Sequence, residues 1–131
     1  MMYALDANSI VYYFKGMGRV AERLLQTPPR EIALPVVVLY ELEVGIAKSL
    51  SPERRRAQLD ELAAQVQLLP LGLAEARTAA RIRADLERAG QPIGPLDNLI
   101  AGIALTHGAT LVTHNVKEFR RIARLAVEDW F

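Results

Sequence analysis

Short apolar runs alternate with longer amphipathic stretches along this chain, and each change of period marks an element. Residues 3–5 form a short apolar run that predicts a buried strand. Asn8-Ser9 then offers a helix cap ahead of Ile10, Val11 and Phe14. Residues 32–34 predict a second strand, punctuated by Pro35. From residue 36 to residue 50 the pattern reads two ways. Its valines favour a strand, while Val38, Leu42 and Ile46 at four-residue spacing favour a helix. Ser51-Pro52-Glu53 supplies a cap, a first-turn proline and an acid facing the helix dipole, so a helix begins there. Leu59, Leu62, Ala63 and Val66 give that helix its apolar stripe.

Residues 68–71 predict a short strand. Residues 74–89, rich in alanine and arginine, predict a helix that stops at Gly90. Gly94-Pro95 opens a further helix through Thr106, with Leu96, Ile100, Ile103 and Ala104 facing inward and Gly108 ending it. Residues 111–113 read as a strand, Asn115 as the cap of a short helix around Phe119, and residues 125–127 as a strand closing the sheet. Strands alternating with helices predict an α/β fold with a mostly parallel central sheet, and such sheets hold their sites at the strands' carboxyl ends. Asp6 and Asn115 fall at two such ends. With no linker, repeat or low-complexity segment in 131 residues, a single domain over 1–131 is expected.

Composition narrows the chemistry. The absence of cysteine removes disulfides, thiolate zinc sites and cysteine nucleophiles, and is compatible with a reducing cytosol. Two histidines, His107 and His114, are too few for most zinc sites. A formal net charge of +1 gives no global pull toward nucleic acid or membrane, so any nucleic-acid contact needs a local basic patch. No apolar stretch approaches the ~18 residues that span a bilayer, and no secretory signal is visible. A cytoplasmic protein is expected.

Three acids stand where apolar segments break. Asp6 follows residues 2–5, Glu41 interrupts an aliphatic run, and Asp97 precedes Leu99, Ile100 and Ile103. Each has an ordinary explanation as well. Asp6 can cap the next helix or form an Asx turn, Glu41 can pair with Lys48 or an arginine, and Asp97 can satisfy the free N–H groups of a helix start. Brought together, the three would repel unless a proton or cation stood among them. Magnesium suits such a set, because it prefers carboxylate oxygens and retained water. Asp60, Glu61, Asp85 and Glu87 lie on amphipathic helices and read as solvated. His107 reads as a partner for helix-end carbonyls and His114 as a surface residue. Among the basic residues, Arg54, Arg55 and Arg56 fan around a helix, whereas Arg77, Arg81 and Arg88 come closer to sharing one face. Lys15, Arg19, Arg120, Arg121 and Arg124 follow the strands that carry the candidate site.

Four segments stand in the order and spacing of PIN-domain ribonucleases: Leu5-Asp6-Ala7-Asn8, residues 40–49 around Glu41, residues 92–97 ending in Asp97, and Val112-Thr113-His114-Asn115. Residues 100–102, Glu118-Phe119 and residues 127–130 extend the match, so the chain as a whole resembles a VapC-type toxin of a type II toxin–antitoxin system. The resemblance implies a PIN-like three-layer sandwich with four to five strands, and it turns residues 36–50 into a helix carrying Glu41. It also implies a Mg2+- or Mn2+-dependent endoribonuclease. Asp6, Glu41 and Asp97 would bind the metal, with Asn115 as a fourth catalytic position where many relatives have an acid. Asn8, Ser9 and Thr113 would support the site or touch substrate. Cellular RNA, tRNA foremost, is the implied substrate. A VapB-like antitoxin and a homodimer are the implied partners. The rival readings are a catalytically inactive PIN-fold module binding RNA or protein, and a metal-dependent phosphatase of small esters. A dinucleotide-binding domain is disfavoured because no Gly-x-Gly-x-x-Gly follows a strand.

Overall fold

Five short strands carry the sheet in the computed structural model, which describes residues 1–131. They are β1 (Tyr3–Leu5), β2 (Ile32–Pro35), β3 (Gln67–Leu69), β4 (Thr110–Val112) and β5 (Val127–Glu128), all parallel in the order β3-β2-β1-β4-β5. Seven helices join and flank them: α1 (Ala7–Lys15), α2 (Val20–Gln26), α3 (Val36–Ala47), α4 (Pro52–Ala63), α5 (Leu73–Arg88), α6 (Pro95–Thr106) and α7 (Val116–Phe119). Parallel strands covered on both faces need no polar alternation. Accordingly Ala4, Leu5, every residue of β2 and every residue of β4 are buried.

The expected α/β architecture holds, and the sheet is wholly rather than mostly parallel. Residues 36–50 resolve toward the helix: β2 runs straight into α3, and Val38, Leu42 and Ile46 bury one face of it. Tertiary burial overrides the strand preference of the valines. Three strands are displaced by one or two residues at each end from the apolar runs that suggested them. β3 starts at Gln67 and stops at Leu69, β4 starts at Thr110, and β5 occupies Val127–Glu128. Ladder pairing with a neighbour, rather than local hydropathy, sets those limits. The pattern gave no sign of α2 or of the 3-10 turn Pro29–Glu31, both of them short and lacking a side-chain cap.

Two corrections concern helix starts. Asn8-Ser9 does not cap α1. Asp6 does, accepting a hydrogen bond from the Ser9 N–H at 2.9 Å through Oδ1. Ser51 precedes α4 but makes no side-chain cap bond. Of the stripe expected on α4, Leu59 is buried and Leu62 half-buried, while Ala63 is exposed.

Packing is tightest between α5 and α6. A Cβ added at Gly102 would lie 2.5 Å from the Ala79 Cβ and 2.8 Å from its Cα, so only glycine allows this approach. Strand order reverses between β1 and its two neighbours, β2 on one side and β4 on the other. The crevice beyond the carboxyl ends of β1 and β4 is therefore the topological switch point, the usual place for a site in an open α/β sheet.

Candidate acidic active site

Asp6 immediately follows β1 and is buried. Both carboxylate oxygens are held. Oδ1 accepts from the Ser9 N–H, and Oδ2 accepts from the Thr113 hydroxyl at 2.6 Å. Thr113, fully buried just past β4, also accepts at Oγ1 from the Asn115 N–H at 3.0 Å. Ser9 donates its own hydroxyl to the Val112 carbonyl at 3.3 Å. Asp6 thus caps a helix and is fixed across the switch point by residues more than a hundred positions away. The cap therefore does not exclude a site role: the same carboxylate starts α1 and is held at the switch point.

Glu41 projects from α3 one position before buried Leu42. Its Oε1 is buried and has no hydrogen-bond partner, and Glu41 forms no ion pair with Lys48 or any arginine. Burial raises its pKa above the usual carboxylate range, and the charges of Asp97 and Asp6 push it further in the same direction. Asp97 is the third residue of α6, after first-turn Pro95. Its pKa is also raised, by burial first and then by the charges of Glu118 and Asp6. A helix N-terminus by itself would lower an acid's pKa. At Asp97 burial and neighbouring acids act against it.

Asn115 precedes α7 without capping it through its side chain. Its Nδ2 donates instead to Glu118 Oε2 at 3.0 Å, fixing a fourth acid whose charge is felt at Asp97. Sequence reasoning placed Glu118 in a matching segment but assigned it no role. The available signal was its position three residues after Asn115, one helical turn on. Asn8 is exposed, on the wall of a groove of about 520 Å³ between α1, α3 and α4 that also contains Glu41, Phe14, Lys15 and Arg55.

The histidines stand apart from the acids. His114 bonds Asp129 at 2.9 Å through Nδ1 and stacks on Phe131 with ring centroids 4.3 Å apart. His107 does not serve helix-end carbonyls. Its Nε2 lies 2.8 Å from Oε2 of buried Glu75, joining the end of α6 to the start of α5. Asp60, Glu61, Asp85 and Glu87 are exposed, as expected.

The donor set suits a hard divalent cation: carboxylate oxygens only, one of them buried without a partner, with the charge of Asp6 opposing ionisation of both Glu41 and Asp97. No three of these side chains stand within joint coordinating reach of one point. A cation shared by all three would require Glu41 and Asp97 to adjust around Asp6, whose oxygens are anchored.

Comparison with known proteins bears on the family and the fold. The PIN domain model matches residues 3–125. The tRNA(fMet)-specific endonuclease VapC of Shigella flexneri is 33% identical over 130 residues, covering 99% of this chain and 98% of that protein. Ribonuclease VapC1 of Haemophilus influenzae strain R2866 is 34% identical over 132 residues, with the same coverage of each. Among solved structures, VapBC2 of Rickettsia felis bound to a promoter DNA fragment superposes with a TM-score of 0.92 at 34% identity, over the full length of both chains. The DNA-bound VapBC of Salmonella typhimurium gives the same TM-score and identity over 100% of this chain and 99% of that one. Matched over nearly its whole length by these proteins, the chain belongs to the PIN-domain family of VapC ribonucleases.

Proposed function

We propose that this protein is a divalent-metal-dependent endoribonuclease toxin that hydrolyses phosphodiester bonds of cellular RNA, tRNA foremost, and is neutralised by a VapB-like antitoxin. The observation that carries the reading is Asp6, buried and held at both oxygens at the switch point, with its charge acting on Asp97 and on Glu41, whose buried Oε1 has no partner. Two relatives bear the name tRNA(fMet)-specific endonuclease, which favours tRNA as substrate.

Asp6 is the fixed ligand, since both its oxygens are oriented by hydrogen bonds that leave further lone pairs free. Asp97 and Glu41 complete the set for Mg2+ or Mn2+. When bound, such an ion supplies countercharge, lowers the pKa of water and stabilises charge on the departing oxygen. Glu41, its pKa already raised, is suited to orient the attacking water and take its proton. That water's oxygen forms the new bond to phosphorus as the ester P–O bond breaks, and the departing oxygen gains a proton. Asn115 has its amide nitrogen engaged by Glu118 and keeps its carbonyl oxygen for a water or substrate hydroxyl. Ser9 and Thr113 hold Asp6 and the strand ends in register. Asn8, on the groove wall, is placed to meet substrate.

The groove beside Glu41 also fits a peptide. Val11, Phe14, Leu42 and Ile46 give it apolar lining next to the acids, where an antitoxin segment with a basic side chain would offset the buried charge. Exposed Tyr40, Val44, Leu68 and Leu73 leave apolar surface for a homodimer. No helix is long and apolar enough to cross a membrane, and the RNA substrate proposed here would be met in the cytoplasm.

The test is antitoxin-free protein incubated with an RNA panel in Mg2+ or Mn2+. The proposal expects cleavage that falls by about a hundredfold or more in Asp6→Ala and Asp97→Ala. Uncut RNA throughout, with binding retained, would assign the chain to the non-catalytic module instead.

A further inference from the structure

Away from the acids, three arginines converge on one groove. Arg81 from α5 and Arg121 and Arg124, just beyond α7, line a recess of about 240 Å³ with Ile82, Leu86 and Leu105 at its base. None of the three forms an ion pair, whereas Arg83 and Arg88 on the same helix are paired to Glu87 and Asp85. Asp85 is the one acid on the groove wall, and it is engaged by Arg88 at 3.2 Å. In a chain of net charge +1, three unneutralised guanidinium groups in one concavity are a local excess. Within the chain only a carbonyl accepts from any of the three, so an anion in the groove would offset their repulsion.

The groove is tied to the acid cluster by short links. The Arg121 N–H donates to the Glu118 carbonyl at 3.1 Å, one turn beyond the acid whose charge is felt at Asp97. Its guanidinium donates to the Pro92 carbonyl at 3.0 Å, in the segment that leads into Asp97. Only one guanidinium nitrogen of Arg121 is used there, so its other donors remain free. On the far side of the cluster, Lys15 and Arg55 line the groove that contains Glu41.

We propose that the groove between α5 and the turn after α7 is a second contact for RNA, holding sugar–phosphate backbone away from the scissile bond through Arg81, Arg121 and Arg124. This rests on the ribonuclease reading and deepens it. The acids cut one bond, while the groove selects substrates long enough to reach it. Guanidinium forks match phosphate oxygens two at a time, and the apolar floor excludes water from the contact. A short oligonucleotide fills the acid site but cannot span both places.

The experiment compares wild type with Arg81→Gln/Arg124→Gln, which leaves Arg121 and its bond to Pro92 in place, on full-length tRNA and on a short oligonucleotide spanning only the cleaved bond. Thermal melting confirms that the variant folds. A companion measurement follows tRNA binding by fluorescence anisotropy in EDTA between 50 and 200 mM salt. Two lost phosphate contacts lower the salt slope by about 1.4, so the variant's affinity falls about sevenfold less than the wild type's over that range. The preference for tRNA over the short substrate falls as well. Equal salt slopes and an unchanged preference would overturn the groove while leaving the nuclease intact. If wild type cuts neither substrate, the ribonuclease reading fails, and the anisotropy slopes alone decide whether the groove binds RNA.

Discussion

With one carboxyl oxygen buried and unpartnered, Glu41 costs stability whenever it is ionised without a cation beside it. Its folded-state pKa lies above its ordinary value of 4.5, so the folded protein holds the proton over a pH window in which the unfolded chain has released it. Stability from this group is therefore greatest below that ordinary value and declines as pH rises through the folded one. Metal-free Glu41→Gln should melt a few degrees above wild type at pH 7 and match it near pH 4; equal melting at both values would contradict the burial argument. Saturating Mg2+ at about ten times its Kd should raise the wild-type Tm by about 5 °C and the variant's by less. At Thr113 the expectation is a loss. Thr113→Val removes the hydroxyl that holds Asp6 and accepts from Asn115, and denaturant titration should show a cost of about 1–3 kcal/mol. The three acids were legible in the sequence because charge inside an apolar run needs a reason. Glu118 was not, because on a short amphipathic helix a glutamate looks like any solvated residue until Asn115 fixes it where its charge is felt at Asp97.

At the scale of elements, the pairing of α5 with α6 places Asp97. Gly102→Ala would drive a methyl into Ala79, and overpacking of this kind costs about 1–3 kcal/mol. Because the contact includes the Ala79 backbone, Ala79→Gly should restore only part of the lost Tm; full restoration would mean that side chains alone set the spacing. The same two helices are joined by Glu75 and His107. The Glu75 pKa is lowered by its own N–H first and by His107 next, so its contribution is present above the ordinary value of 4.5 and is lost as pH falls through the lower folded value. Glu75→Gln should thus weaken the fold more at pH 7 than at pH 3. Helices with proline starts and glycine stops were readable because those residues act locally: α4, α5 and α6 begin or end within a residue or two of their signals. Strand limits and α2 were not, since register comes from neighbours and α2 has neither a side-chain cap nor a strong stripe.

For the whole molecule, the switch point makes distant sequence local. Asp6 follows the central strand, Thr113 and Asn115 follow its neighbour on one side, and α3 brings Glu41 directly from the strand on the other. Parallel pairing alone fixes that convergence, which is why the order of the four segments predicted the fold while no single segment did. The flanking grooves give the particle two cationic shoulders around an acidic centre, and raising salt should weaken tRNA binding far more than it weakens cleavage of a short substrate. The most direct measurement is anomalous diffraction from crystals of the antitoxin-free protein soaked in Mn2+. The strongest peak should be bonded to the carboxylates of Asp6 and Asp97, with Glu41 bonded or one water away. A saturated crystal with its manganese elsewhere, in protein that still cleaves RNA, would contradict this placement.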